Sequence, residues 1–569
     1  MDAHISPPGP AAGTHPGRWR RRSVTLLALA VLVAAPLGTT AAADGHHDPA
    51  SSVDHTLVRT EDGAVRGTAD DEVRRFQGIP FAAPPVGDLR WQDPQPPSPW
   101  DGVRDATAPG PACAQGDGEV PGGSSAENCL YLNVTTPARE SHEPLPVIVW
   151  FHGGGFYMGA GHNYDPQRLV TGGDVIVVTT NYRLGVFGNY GHPGLDGSGT
   201  FGLSDQQAAL SWVQDNAAAF GGDPDNVTIA GQSAGAVSGC AHLTSPSAGG
   251  LFDAAIMQSG SCGVEWLANS VYRGEPADSI LLPSATVEAR GQEAAASLGC
   301  STDDPAAALA CLRDLPVEAL MPWHGAFIQP AYGNELLPTE PAAALREGRF
   351  HRVPVLSGHT RDESTLPVSM YEDGAGPMSE ETYDAVMTET FGQDEEKVSA
   401  EYPRAEYDSG AAVWAAIVTD SKWATSQLDV ARTLSRRVPV YQYEFADPAP
   451  PLGIPGPPPM RMGAYHTSDL WSFFDLAGHS PQFTPEQQRL SEQMIEYWAT
   501  FAATGRPDAA DGPRWPAFGT HRHHLIDGDS GLPARPAPYV QRLAPGAGGI
   551  GPVDVAKVHH LRFWEQFDR

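Results

Sequence analysis

The chain has 569 residues, 41% hydrophobic and 18% charged, with a formal net charge of −32. That balance excludes intrinsic disorder over most of its length. So acidic a surface opposes binding to nucleic acid and to anionic membranes, so no nucleic-acid partner is expected.

Taken in chain order, residues 1–43 read as an export signal. Arg18, Arg20, Arg21 and Arg22 form a basic start, an apolar stretch runs from Val24 to Ala35, and Ala41-Ala42-Ala43 offers a small-residue cleavage site. The apolar run is shorter than the roughly 20 residues a spanning helix needs, so no stable membrane insertion is expected. Arg21-Arg22 leaves twin-arginine export open beside the general secretory route. Cleavage near Ala43 makes the product a secreted protein. Residues 44–55 are polar and read as a disordered segment, and residues 56–569 as one domain.

From Leu57 to Phe76 the pattern predicts short antiparallel strands with a turn at Glu61-Asp62-Gly63. Six apolar runs follow, in PVIVWFHGGG, DVIVVTTNYR, NVTIAGQSAG, AAIMQSGS, VPVLSGHT and VPVYQYEF. They are continuous rather than alternating, as strands buried on both faces of a parallel sheet are. Helical stretches such as Ser204 to Ala219 lie between them. The alternation predicts a doubly wound α/β fold, with ligands bound beyond the carboxyl ends of the strands. Residues 265–350 and 367–415 read as insertions that wall the site, and residues 446–464 as a Pro-rich loop.

The chain holds six cysteines. In an oxidising compartment they predict disulfides. Cys113 with Cys129, and Cys300 with Cys311, have the spacing of short-loop staples. Cys240 and Cys262 remain as a third bridge or as two buried thiols. Two glycosylation sequons, at Asn133 and Asn226, both sit against predicted strands, which favours structural use.

Gly231-Gln232-Ser233-Ala234-Gly235 follows an apolar strand and precedes a helical stretch, the context of a nucleophile elbow. His152-Gly153-Gly154-Gly155-Phe156 ends a different strand. Glycine there lets backbone N–H groups approach a developing oxyanion, and Gly154, Gly155 and Ala234 are the candidate donors. A serine nucleophile needs a base, and the base needs an acid to orient it. In chain order Ser, acid, His, the acid candidates are Asp362 and Glu363. His466 is a candidate base, with His242, His351 and His359 as contenders.

These motifs resemble the type-B carboxylesterase family, relatives of the cholinesterases and of some fungal lipases. The stretch from Phe220 to Gly235 matches the family's nucleophile signature. Glu127-Asn128-Cys129-Leu130-Tyr131-Leu132-Asn133-Val134 matches its second signature, with Asn128 departing from the usual Asp or Gly. The resemblance implies an α/β-hydrolase fold with large insertions. It implies Ser233 as nucleophile, Glu363 rather than Asp362 as acid, His466 as base, and Gly154, Gly155 and Ala234 as the oxyanion hole. It also implies the bridges Cys113–Cys129 and Cys300–Cys311, an Arg90–Glu127 ion pair, and Asp469 and Gln232 as supporting residues. Ala326-Phe327-Ile328-Gln329-Pro330 is expected in the acyl pocket.

The loop from Cys113 to Cys129 carries no aromatic residue, and position 232 is Gln where cholinesterases carry Glu. Cation–π recognition of a quaternary ammonium is therefore unsupported. The expected function is hydrolysis of small to medium soluble esters through an acyl-enzyme, with water as co-substrate and no metal or organic cofactor. The alternatives are a lipase and a non-catalytic adhesion homologue. An adhesion homologue usually loses the nucleophile or the oxyanion glycines, which this chain keeps. Only three lysines stand against 33 arginines, which points to genome composition rather than a binding surface.

Overall fold

A computed structural model describes residues 54–567, except 140, 373–375, 454–457, 511 and 520–537. Residues 1–43, read above as an export signal, and the polar segment up to residue 53 lie outside the described residues.

Among the described residues, eleven strands form one sheet. In chain order they are β1 (Thr68–Ala69), β2 (Val73–Pro80), β3 (Tyr131–Pro137), β4 (Leu145–Phe151), β5 (Ile176–Thr180), β6 (Gly222–Gln232), β7 (Ala254–Gln258), β8 (Val355–Thr360), β9 (Val440–Phe445), β10 (Gln541–Leu543) and β11 (Gly551–Pro552). Their spatial order is β11-β10-β9-β8-β7-β6-β4-β5-β3-β2-β1. From β5 across to β10 every pairing is parallel, and the antiparallel strands lie at the two edges. All six predicted apolar runs are parallel strands of the centre, β4 to β9. The predicted N-terminal turn is also present: Leu57–Arg59 pairs antiparallel with Ala64–Arg66, and Thr60 N–H donates to the Gly63 carbonyl at 2.9 Å.

The central strands bury both faces because helices cover both. Val147, Val149 and Phe151 point into one apolar cluster with α1 (Phe201–Asn216), α2 (Ala234–Thr244) and a later helix, Thr425–Leu434. Ile148 and Trp150, one step out of phase, point into a second cluster with Pro485–Thr504. A period of two on a strand with two apolar faces leaves no polar position, hence the continuous runs. With Gly410–Val418 as α3, these later helices are α4 (Thr425–Leu434) and α5 (Pro485–Thr504). The ends of α5 follow local chemistry. Thr484 and Gln487 form a reciprocal capping box with Pro485 at the first turn, and Gly505 closes the helix at φ 71°.

Three disulfides join Cys113–Cys129, Cys240–Cys262 and Cys300–Cys311. The Cys240–Cys262 pair resolves the open alternative in favour of a third bridge. It ties α2 to the loop beyond β7. Arg90 and Glu127 make the expected ion pair as a two-pronged contact, at 2.5 and 2.6 Å. Asn133 is used structurally: its side chain accepts from the Gly78 N–H at 3.0 Å and donates to Thr179 at 3.1 Å. Among the described residues, no helix is long and apolar enough to cross a membrane.

Candidate active site

The polar residues singled out in the sequence collect at the carboxyl ends of the central strands. β6 ends at Gln232, and Ser233 follows at φ 56°, ψ −122°, before α2 begins. A residue with a Cβ rarely takes that conformation, so the turn must hold it there. Two contacts do so. Ser233 N–H donates to the Gln258 carbonyl at the end of β7 (2.9 Å), and the Ser233 carbonyl accepts from Ala236 and Val237 in the first turn of α2 (3.0 Å each). The flanking glycines are steric necessities. A Cβ at Gly231 would stand 2.5 Å from the Gly235 backbone, and one at Gly235 would run into the Phe151 carbonyl.

Glu363 follows β8 and is fully buried. Its Oε2 lies 2.5 Å from His466 Nδ1, and its Oε1 accepts from the Thr360 N–H at 2.8 Å. Burial alone would raise this carboxyl. The His466 charge and hydrogen bond, with the Thr360 amide, outweigh burial and hold it below its ordinary value. Asp362 faces the other way. Its Oδ2 accepts from the Ala464 N–H at 2.8 Å and its own N–H donates to the Ala464 carbonyl at 2.9 Å. Adjacent acids thus divide the work: Asp362 clasps the backbone of the loop that carries His466, and Glu363 meets its ring. Gly463, at φ 59°, leaves space that a Cβ would take from the Asp362 carboxylate.

His466 Nε2 lies 3.1 Å from the Gln232 side-chain amide. An amide N–H donating there, with Glu363 on Nδ1, puts the ring's proton on Nδ1 and its lone pair on Nε2. Among the described residues, no hydrogen bond joins Ser233 Oγ to the ring. Both residues line one cavity of about 310 Å³, together with Gly155, Ala234 and Glu363. Catalytic hydrogen bonds are often open before substrate binds. The Trp423 indole lies against the His466 ring, centroids 4.9 Å apart.

The N–H groups of Gly154, Gly155 and Ala234 have no acceptor among the described residues. Gly155 and Ala234 line the cavity, while Gly154 sits just behind at φ 96°. Asp469 is buried beneath the pair. Its Oδ2 accepts from Gln258 Nε2 (2.8 Å) and the Tyr443 hydroxyl (2.9 Å), while burial pushes its carboxyl up to about 6.

The contending histidines lie elsewhere. His242 and His351 are held by Gln206 and by the Ser245 carbonyl, at 2.8 and 2.7 Å. His359 is buried on β8 with neither ring nitrogen hydrogen-bonded. With Glu444 and His559 it brings three donor atoms within 4.8 Å of one another. Both His559 nitrogens are already engaged by carboxylates, which suits an imidazolium better than a metal ligand.

One expectation is corrected. Ala326–Pro330 does not line the cavity. Phe327 is fully buried against Tyr190, and Gln329 clasps Asp278 and Ser279 from behind. The wall is instead built by Trp266, Val271 and Ile280 from the first insertion, by Pro367 and Met370 from the second, and by Leu366 just before it. The sequence reasoning also missed Trp423 and Lys422, which line the cavity from the segment between α3 and α4.

A parallel sheet wound on both faces, a strained serine at a strand-to-helix elbow and a carboxylate-held imidazole reached from a later loop define an α/β-hydrolase. The solved structures agree. A PNB esterase superposes with a TM-score of 0.70 at 32% identity, covering 90% of this chain and 100% of its own. The carboxylesterase family model matches residues 54–532. The para-nitrobenzyl esterase of Bacillus subtilis (strain 168) is 37% identical over 82% of this chain and 93% of its own length. The human (Homo sapiens) cocaine esterase is 34% identical over 88% of each. The chain belongs to the carboxylesterase family.

Proposed function

We propose that the protein is an exported carboxylic ester hydrolase in which Ser233, His466 and Glu363 act as nucleophile, base and acid. The observation that carries the reading is the imidazole held by a buried carboxylate in the same cavity as the elbow serine. Gln232 swings off Nε2 as substrate enters, and Nε2 takes the Ser233 proton while Oγ attacks the ester carbonyl. Glu363 keeps the reactive tautomer and steadies the imidazolium. The alkoxide forms against the free amides of Gly154, Gly155 and Ala234, each worth about 3–4 kcal/mol by analogy with measured oxyanion holes. The C–O bond breaks, the alcohol leaves with the proton from Nε2, and water repeats the sequence on the acyl-enzyme. Asp469 acts through the Gln258 side chain and the charge it places beneath the pair.

The cavity's size suits small to medium esters. The three disulfides support export to an oxidising compartment. Ser233→Ala is expected to lower kcat on short p-nitrophenyl esters by about 10⁴-fold or more, as removal of a nucleophile does in other serine hydrolases. Full turnover in that variant would end the proposal.

A further inference from the structure

The chain spends one of its three lysines on the wall of this cavity. Lys397 and Lys557 are exposed, whereas Lys422 is 2% exposed. It belongs to a π-helical turn, Thr419–Ala424, between α3 and α4. Such turns recur at functional sites because the extra residue re-aims side chains. This one is anchored on both sides. Thr419 Oγ1 accepts from the N–H of Ser364, next to Glu363, at 3.0 Å. The Asp420 carboxylate accepts from the Tyr402 hydroxyl at 2.8 Å and meets His559 at 2.6 Å.

The Lys422 ammonium lies against the Trp266 ring and 4.3 Å from the centre of the Trp423 ring. No ion pair and no hydrogen bond reaches it among the described residues. Burial pushes it well below the ordinary lysine value, and Glu275 and Glu363 offset only part of that. Neither acid is at its disposal: Glu363 is committed to His466, and Glu275 accepts from the Val271 N–H at 2.7 Å. The indole faces give a cation some support, yet all three N–H donors are left without an acceptor. The neighbouring wall is apolar, with Val264, Ile280, Leu366 and Met370. An anion arriving with the substrate would favour the protonated amine that burial disfavours, and would pair with it beside apolar side chains, where charge pairing is stronger than in water.

We propose that Lys422 is a specificity-determining residue that receives a carboxylate carried by the substrate beyond the ester bond, so that carboxylate-bearing esters are the preferred class. This rests on the ester-hydrolase reading of the same cavity. An apolar pocket without a usable cation would reject such substrates, because an unpaired buried carboxylate is costly.

The test is a ratio of kcat/KM values at pH 7 for length-matched esters. Monoethyl adipate is set against ethyl hexanoate for a charge on the acyl side, and 4-acetoxybutanoate against butyl acetate for the alcohol side. Because both members of a pair see one preparation, the ratio is insensitive to any unfolded fraction. In the wild-type protein at least one ratio favours the carboxylate-bearing ester. Lys422→Met lowers that ratio by about 30-fold or more, the loss typical of cutting one partner from a buried charge pair. If the wild-type protein prefers the neutral ester in both pairs, or Lys422→Met leaves both ratios unmoved, the assignment of Lys422 is overturned. If the wild-type protein cleaves no ester of either pair, the hydrolase reading itself fails.

Discussion

Among the described residues, the two imidazole–carboxylate clusters whose acids are buried, around His466 and around His559, are built to opposite ends. His466 meets one carboxylate, Glu363, while its other nitrogen has only the neutral Gln232 amide beside it and the residue lines a cavity. His559 meets two, Asp420 at 2.6 Å and Glu444 at 2.8 Å, and is buried on every side. Burial alone would lower the His559 imidazolium, but the two carboxylates outweigh it and hold it up to about 10. A ring with both nitrogens occupied by acids keeps its proton and does no proton transfer. A ring with one nitrogen pinned and the other facing a cavity has a proton to place and a lone pair to use. The difference lies in the second partner, and it separates chemistry from architecture more surely than burial or residue type.

Glu363→Gln should break the comparison on the catalytic side. An amide facing Nδ1 favours the wrong tautomer, so kcat on a neutral ester should fall by about 10⁴-fold, as in comparable triads. A loss of less than tenfold would mean that the carboxylate does not orient the ring.

The architectural cluster is tested by stability rather than turnover. His559→Ala leaves Asp420 and Glu444 buried without their shared cation, and should cost about 3–5 kcal/mol in denaturant unfolding. The pH dependence sharpens the contrast with a smaller effect. A group whose folded value lies above its unfolded one stabilises fully below the unfolded value, and that stability is lost as pH rises through the folded one. For His559 the loss runs from about pH 6.5 towards about 10. The wild-type protein should lose stability over that window, and His559→Ala should lack this part of the slope. Equal slopes in the two proteins would show that His559 does not carry the proton assigned to it.

What the sequence made legible is what the backbone itself dictates. The strands from Val147, Ile176, Val227, Ala254, Val355 and Val440 declared themselves because burial on both faces leaves continuous apolar runs. The elbow was legible because Gly231 and Gly235 are forced by backbone contacts within a few residues. The choice between Asp362 and Glu363 could not be read from residue chemistry alone. Both are acids at the end of one strand, and only the path of the Gly463–Ala464 loop decides which side chain meets the ring. The resemblance to a family supplied that choice, and in the structure it is the Glu363 side chain that lies against the His466 ring. Lys422 was passed over as an effect of composition, since nothing local marks the π turn that buries it. Ala326–Pro330 was misplaced because its apolar residues serve a neighbouring cluster around Tyr190 rather than the cavity wall.

The central claim is that the Ser233 oxygen becomes acylated. The most direct measurement is mass spectrometry of the peptide containing Ser233 after a short exposure to p-nitrophenyl acetate and an acid quench. The account predicts an added acetyl group on Ser233 that grows with the first burst of p-nitrophenol and disappears as substrate runs out. Steady turnover with Ser233 unmodified at every time, or a burst that tracks acetylation of another residue, would contradict it.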